Sequence, residues 1–268
     1  MRKASATAST AFDEGLLARI EDAGLNASAP REQRGVDGWL LRLSPGKAKR
    51  ARCIQAVAPG RLGIDDKLAV CLPLFAAAGL RPYVRITPFS QPTGLDRRLA
   101  DLGMTRVDDT RVMVVASLEA FVADRGNALD GGAIETTDAA TFADWVGRAR
   151  GSSAAERSAH AERIARPAVP HHAVLAKDER GSVIAAGLVV AEGRVAGLYD
   201  VFTAEAARGR GHAERVCRHL LAVAAACGAT VGYLQVDAAN EAARRIYRRL
   251  GFADGYAYHY RTPADGAA

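Results

Sequence analysis

The residues best suited to chemistry lie between Leu198 and Ala213, in the run LYDVFTAEAARGRGHA. A strand-like stretch, Leu198–Thr203, leads into Arg208-Gly209-Arg210-Gly211-His212-Ala213, and a helix-periodic segment follows directly. Glycine lets a backbone turn tightly and approach a ligand with no Cβ in the way. The helix beyond presents unpaired N–H groups and a partial positive charge. With the two arginines, this is a seat for a phosphate or pyrophosphate. The same residues would also serve as a Gly-rich turn with no ligand. Inside the strand, Asp200 shares a face with Leu198 and Phe202 by simple alternation. An acid on an apolar face is costly unless paired, which marks it for attention. A second cluster is the basic run Arg42, Lys47, Lys49, Arg50 and Arg52. Its SPGKAKR segment lacks the spacing and the Ser/Thr of a Walker loop. It is expected to be a solvated hairpin turn, with contact to an acidic substrate as the alternative.

The elements that must position these residues follow from apolar periodicity and punctuation. A Gly/Asp-rich stretch at 123–133, ADRGNALDGGA, reads as a linker between two halves. Before it come a helix over Phe12–Leu25, two hairpin strands at Gly38–Ser44 and Arg52–Ala58, and a helix over Asp65–Ala78. A strand at Tyr83–Thr87, a short helix at Leu95–Leu102 and a strand at Arg111–Ala116 complete that half. After the linker come a strand at Ala133–Thr137, helices over Thr141–Arg150 and Ala154–Arg166, and strands at His172–Lys177, Ser182–Ala191 and Arg194–Thr203. A helix over Ala213–Cys227, a strand at Thr230–Val236, a helix over Asn240–Leu250 and a strand at Tyr256–Arg261 close the chain. Alternating strands and helices argue α/β or α+β.

The loop does not stand alone. Arg-x-x-Gly-x-Ala after a strand resembles the acetyl-CoA-binding motif of the GNAT acetyltransferases, and LQVDAANEAARRIYRRLGF resembles that family's downstream strand, Asn-led helix and Gly-Phe ending. The resemblance is specific over Leu198–Phe252. It implies an α+β fold of two GNAT-like domains, 1–130 and 131–268, each a mixed, mostly antiparallel sheet flanked by helices. The first would be a degenerate copy, since no such loop precedes the linker. The resemblance also implies roles. Val201, Phe202 and Thr203 would pair with the pantetheine arm of acetyl-CoA. Arg208, Gly209, Arg210, Gly211, His212 and Ala213 would seat its pyrophosphate, and Asn240 would cap its helix and contact the cofactor. Tyr247 would protonate the leaving thiolate, although a core tyrosine would fit the same pattern. Asp200 is the proposed base, with water, His171 or His172 as alternatives; the family's usual Glu position falls near Gly197. Arg244, Arg245, Arg248 and Arg249 would be a solvated face or would help hold the 3′-phosphate. His259 would line the acceptor cleft or pack.

The resulting expectation is an acetyl-CoA-dependent N-acetyltransferase acting on a small-molecule or peptide amine by direct attack. A non-catalytic acyl-CoA sensor is the alternative. Composition sets the remaining bounds. The chain has 268 residues, 49% hydrophobic and 25% charged, with a net charge of +6. This is a globular composition. The excess charge is spread over both halves, so no nucleic-acid partner is expected. Apolar runs are too short for a membrane span. Cys53, Cys71, Cys217 and Cys227 form no metal-like or Cys-x-x-Cys spacing, so reduced thiols, no metal and a cytoplasmic location are expected. A homodimer is allowed.

Overall fold

The computed structural model describes residues 12–122, 128–129, 132–166 and 169–264. The first eleven residues and most of the linker expected at 123–133 lie outside them. Helix α1 (Glu14–Asn26) starts at Asp13, whose carboxylate accepts from Leu16 N at 3.0 Å. Strands β1 (Glu32–Val36) and β2 (Trp39–Leu43) follow as a hairpin, turned at Asp37 (φ 43°) and Gly38 (φ 83°). β1 escapes a hydrophobicity reading because its sequence, EQRGV, is almost wholly exposed. β3 is Ile54–Gln55, much shorter than the strand expected over Arg52–Ala58; a helical turn at Lys49–Ala51 takes up the preceding basic segment. The half continues with α2 (Ile64–Ala77), β4 (Val84–Ile86), α3 (Leu95–Asp101) and β5 (Thr105–Val115).

The second half runs β6 (Ala128–Leu129), β7 (Gly132–Thr137), α4 (Ala139–Ala149), α5 (Ala154–Ala165), β8 (His171–Lys177), β9 (Val183–Glu192), β10 (Val195–Thr203), α6 (His212–Ala226), β11 (Val231–Asp237), α7 (Glu241–Arg249) and β12 (Ala253–Thr262). α5 opens on a reciprocal capping box between Ser153 and Glu156. Among the described residues the strands form one mixed sheet, ordered β1-β2-β3-β4-β12-β5-β11-β10-β9-β8-β7-β6. Only β3/β4 and β10/β11 are parallel pairs; the rest are antiparallel.

Each half therefore contains a parallel pair with a helix between its strands, and the halves exchange their last strands. β5 pairs with β11 from Gly232↔Val115 to Asp237↔Thr110, and β12 pairs with β4 from His259↔Ile86 to Arg261↔Val84. β5 and β12 also pair with each other. The carboxy-terminal portion of β5 is buried on both faces, so VMVV, Val112–Val115, reads as a continuous apolar run.

Two apolar layers sandwich the central strands. On one face, Leu17 and Ile20 of α1, Phe142 and Val146 of α4 and Ile164 of α5 pack with Tyr199, Tyr233 and Val114. On the other, Val216, Leu220 and Leu221 of α6, with Ile246 and Tyr247 of α7, pack with Leu198, Leu234 and Met113. α6 lies close because Gly187 offers no Cβ, which would sit 2.6 Å from Val216 Cγ1 and 2.8 Å from Leu220 Cδ1. Truncating a fully buried residue such as Leu220 to Ala would cost about 2–5 kcal/mol. A third cluster, around Trp39, Leu41, Phe75 and Leu99, belongs to the amino-terminal half.

Candidate functional site

The site begins where β10 and β11 part. Their parallel pairing runs from Val195↔Val231 to Leu198↔Leu234 and stops. Beyond Leu198, β10 keeps its partner β9 on one edge only, at Phe202↔Ala186 and Thr203↔Ala185. Backbone groups on the other edge need partners from elsewhere. Between Tyr199 and Phe202 the register shifts, and Asp200 takes a left-handed backbone, φ 50°. This bulge overturns the alternation expected to place Asp200 beside Leu198 and Phe202. Such bulges re-aim side chains and store strain.

The loop after β10 supplies the rest of one wall. Gly209 and Gly211 both have positive φ, 78° and 79°, and Gly211 is the N-cap of α6. Among the described residues no group accepts from the amides of Gly209, Arg210 or Gly211. Thr203 Oγ1 is buried with no hydrogen-bond partner among the described residues. Beside the loop lies a groove of about 550 Å³, lined by Lys177, Arg180, Arg210 and Arg215 and by the carboxylates of Asp178 and Glu179 among others. Open amides at a helix start, a charged groove with an excess of cations and an orphaned hydroxyl at the strand end together suit a phosphorylated ligand with a polar arm.

Tyr247 sits on the α6/α7 face, its ring edge-on to Phe252 at 6.1 Å. Burial pushes its phenol well above the ordinary tyrosine value, and nearby Cys217 adds to this; the Arg150 guanidinium opposes it. Tyr247 therefore stays protonated at neutral pH. Asn240 caps α7, its Oδ1 accepting from Ala243 N at 3.1 Å.

Asp200 is not a lone acid. Its Oδ1 accepts from Arg150 Nη1 at 2.6 Å, and its Oδ2 lies 3.0 Å from His160 Nε2. Burial raises its pKa, but the hydrogen bonds and charges of His160 and Arg150 outweigh this and hold the carboxyl well below the usual carboxylate range. Neither partner was singled out in the sequence, because each lies 40 or more positions away, on α5 and at the end of α4. Position 197 is filled from outside: a Cβ there would lie 2.5 Å from Tyr233 Cζ and 2.7 Å from Tyr233 Oη. Tyr233 Oη is 2.7 Å from Tyr199 Oη.

The remaining expectations separate. His172 stacks near His219 at 6.2 Å and touches Thr136, with β9 between its strand and β10. His259 is buried and bonds Asp96 Oδ1 at 2.8 Å, so it packs. Arg244 pairs with Glu241 and Asp254, Arg248 with Glu241 and Arg249 with Glu214, so these cations are tied to carboxylates of α7, β12 and α6. The basic run is not a solvated turn throughout. Arg42 is buried and donates to Gln33 Oε1 and to the carbonyls of Arg50 and Leu25; burial lowers its pKa to about 10. Lys49 pairs with Asp108 at 2.6 Å.

Known proteins resemble this chain in sequence or in fold. Residues 140–252 match the model of the acetyltransferase (GNAT) family. A relative described as the uncharacterized N-acetyltransferase YobR of Bacillus subtilis is 29% identical over 229 residues, covering 85% of this chain and 91% of that protein. A GCN5-related N-acetyltransferase from Kribbella flavida superposes with a TM-score of 0.65 at 22% identity, over 95% of this chain and 98% of that one. A tandem GNAT protein from the clavulanic acid biosynthesis pathway superposes at 0.57 and 14% identity, over 76% of this chain and 70% of that one. The chain shares its fold with these acetyltransferases, and residues 140–252 match the GNAT family model. Its carboxy-terminal half, with the β10/β11 gap and the RGRGH loop, is the part the family model matches.

Proposed function

We propose that the protein transfers an acetyl group from acetyl-CoA to an amine, with the carboxy-terminal half as catalytic unit and the amino-terminal half as a degenerate second copy. The observation that carries this reading is the parting of β10 from β11 directly before the open amides of Gly209–Gly211. Acetyl-CoA, when bound, supplies an activated thioester. Arg208, Gly209, Arg210, Gly211, His212 and Ala213 hold its phosphates, with Asn240 nearby. The free edge of Val201, Phe202 and Thr203 binds its amide groups, for which Thr203 Oγ1 offers a further contact. An N–H of Val201 or Phe202 is assigned as the donor that polarises the acyl carbonyl. Tyr247 gives its phenolic proton to the departing sulfur, for which it stands protonated at neutral pH.

The base reading shifts with the geometry. A carboxylate held at so low a pKa accepts a proton poorly, so Asp200 serves chiefly to hold Arg150 and His160 in place. Water takes the amine proton. No metal is assigned, and no group of metal-ligating residues occurs among the described residues. No helix among them is long and apolar enough to cross a membrane. The four unpaired thiols, three of them buried, support a reducing cytoplasmic location. Isothermal titration with acetyl-CoA and an amine-panel assay of thiol release test the proposal. Saturable binding with product formation is expected; binding without product would instead make the protein a sensor.

A further inference from the structure

On the face opposite α6 and α7, a cavity of about 320 Å³ opens onto the parted strands. Its floor includes Gln235 and Asp237, the β11 residues just beyond the last β10 partner, Leu234. Its cover is the basic segment of the amino-terminal half, including Lys47, Lys49 and Arg50. The volume suits a molecule of amino-acid size.

The cations of this segment are not equivalent. Lys47 pairs with Glu156, Lys49 with Asp108, and Arg42 is spent on backbone carbonyls and Gln33. Among the described residues Arg50 and Arg52 have no carboxylate partner, and of the two only Arg50 lines the cavity. Arg50 Nη1 is buried with no hydrogen-bond partner. Its guanidinium lies 5.3 Å from the centre of the Tyr199 ring, the first β10 residue past the parting point. Arg42 fixes the backbone here by donating to the Arg50 carbonyl at 3.1 Å. A buried guanidinium N–H without a counterion, on the wall of a cavity, is a donor for a carboxylate.

Resting on the acetyltransferase reading above, we propose that the acceptor is a carboxylate-bearing amine of amino-acid size. Arg50 of the amino-terminal half holds its carboxylate while the amine faces the gap between β10 and β11. Binding leaves the carboxylate ionised and breaks no bond. Transfer joins the amine nitrogen to the acyl carbon, breaks the carbon–sulfur bond and releases the thiol and one proton.

The test is steady-state thiol release with matched acceptors: an amino acid, its amide, the corresponding decarboxylated amine and the aminophosphonate. The wild-type chain and the Arg50→Gln and Arg50→Lys variants are compared. The wild type is expected to prefer the amino acid over its amide by at least about tenfold in kcat/KM. Arg50→Gln should collapse that ratio through a higher KM for the amino acid, and Arg50→Lys should restore part of it. Equal or better use of the amide or the decarboxylated amine by the wild type would overturn the proposal. So would a preference that survives in Arg50→Gln, a preference for the phosphonate, or acetyl-CoA binding with no turnover of any carboxylated amine. Failure to bind acetyl-CoA in a parallel titration would instead overturn the acetyltransferase reading beneath it.

Discussion

Two corners of the molecule are built alike and end differently. In each half the first strand of a parallel pair runs through a Gly-containing loop into a helix: β3 into α2, and β10 into α6. In the first corner the chain supplies its own anion. Both carboxylate oxygens of Asp37 accept from Arg61 N, at 2.8 and 2.9 Å, and one accepts from Leu62 N at 2.7 Å. These backbone bonds, with buried Lys67 3.2 Å away, hold the Asp37 carboxyl below its usual range although burial acts the other way. Gly60 leaves no room either, since a Cβ there would overlap the Asp37 carbonyl. In the second corner the amides of Gly209, Arg210 and Gly211 meet no such acceptor among the described residues, and a Cβ on either glycine would meet nothing. A helix start that attracts anions is neutral in function until something decides whether the anion is internal or diffusible.

Equivalent substitutions break this comparison in opposite ways. Gly60→Val forces a side chain onto the Asp37 carbonyl at a positive φ of 67°. It should destabilise the fold by about 3 kcal/mol in urea unfolding, leaving the acetyl-CoA affinity of the folded fraction unaltered. Tyr247→Phe removes the proposed proton donor on the open side. It should lower kcat about 100-fold (about 2.7 kcal/mol) with little change in acetyl-CoA binding. Gly211→Val meets no steric block, so its effect is backbone strain at the proposed phosphate seat. A roughly tenfold loss of acetyl-CoA affinity is expected by calorimetry, with a small change in melting temperature.

The smallest effect is a pH effect. The folded-state pKa of Asp200 lies below its unfolded value, so its contribution is present above about pH 4. It is lost as pH falls further, because the unfolded chain takes up the proton first. Melting curves between pH 7 and 3 should show the wild type losing more stability than Asp200→Asn. Parallel curves would remove the ion pair from the account.

The sequence was most readable where the pattern is local. The RGRGH loop before α6, and the Asn-led α7 with its tyrosine two turns in, each fold as their spacing predicts. What periodicity cannot carry is the identity of a partner. RVMVV announces a buried strand, but nothing in it says that it will lie between β11 and β12. Alternation predicted the facing of Asp200 on the premise of regular pairing, and the bulge at Tyr199–Phe202 removes that premise. His160, Arg150 and Arg50 reach the site from α5, the end of α4 and the basic segment of the other half, so no local signal marks them. Arg42 looked like surface charge because its carbonyl partners are invisible in side-chain chemistry.

The central claim is that only the second corner is open to a diffusible anion. Calorimetric titration of the wild-type chain with acetyl-CoA tests it most directly, with Gly211→Val and Gly60→Val run alongside. The account predicts one site per chain, weakened by Gly211→Val and unaffected by Gly60→Val. Two sites per chain, no binding, or affinity lost on Gly60→Val and kept on Gly211→Val would contradict it.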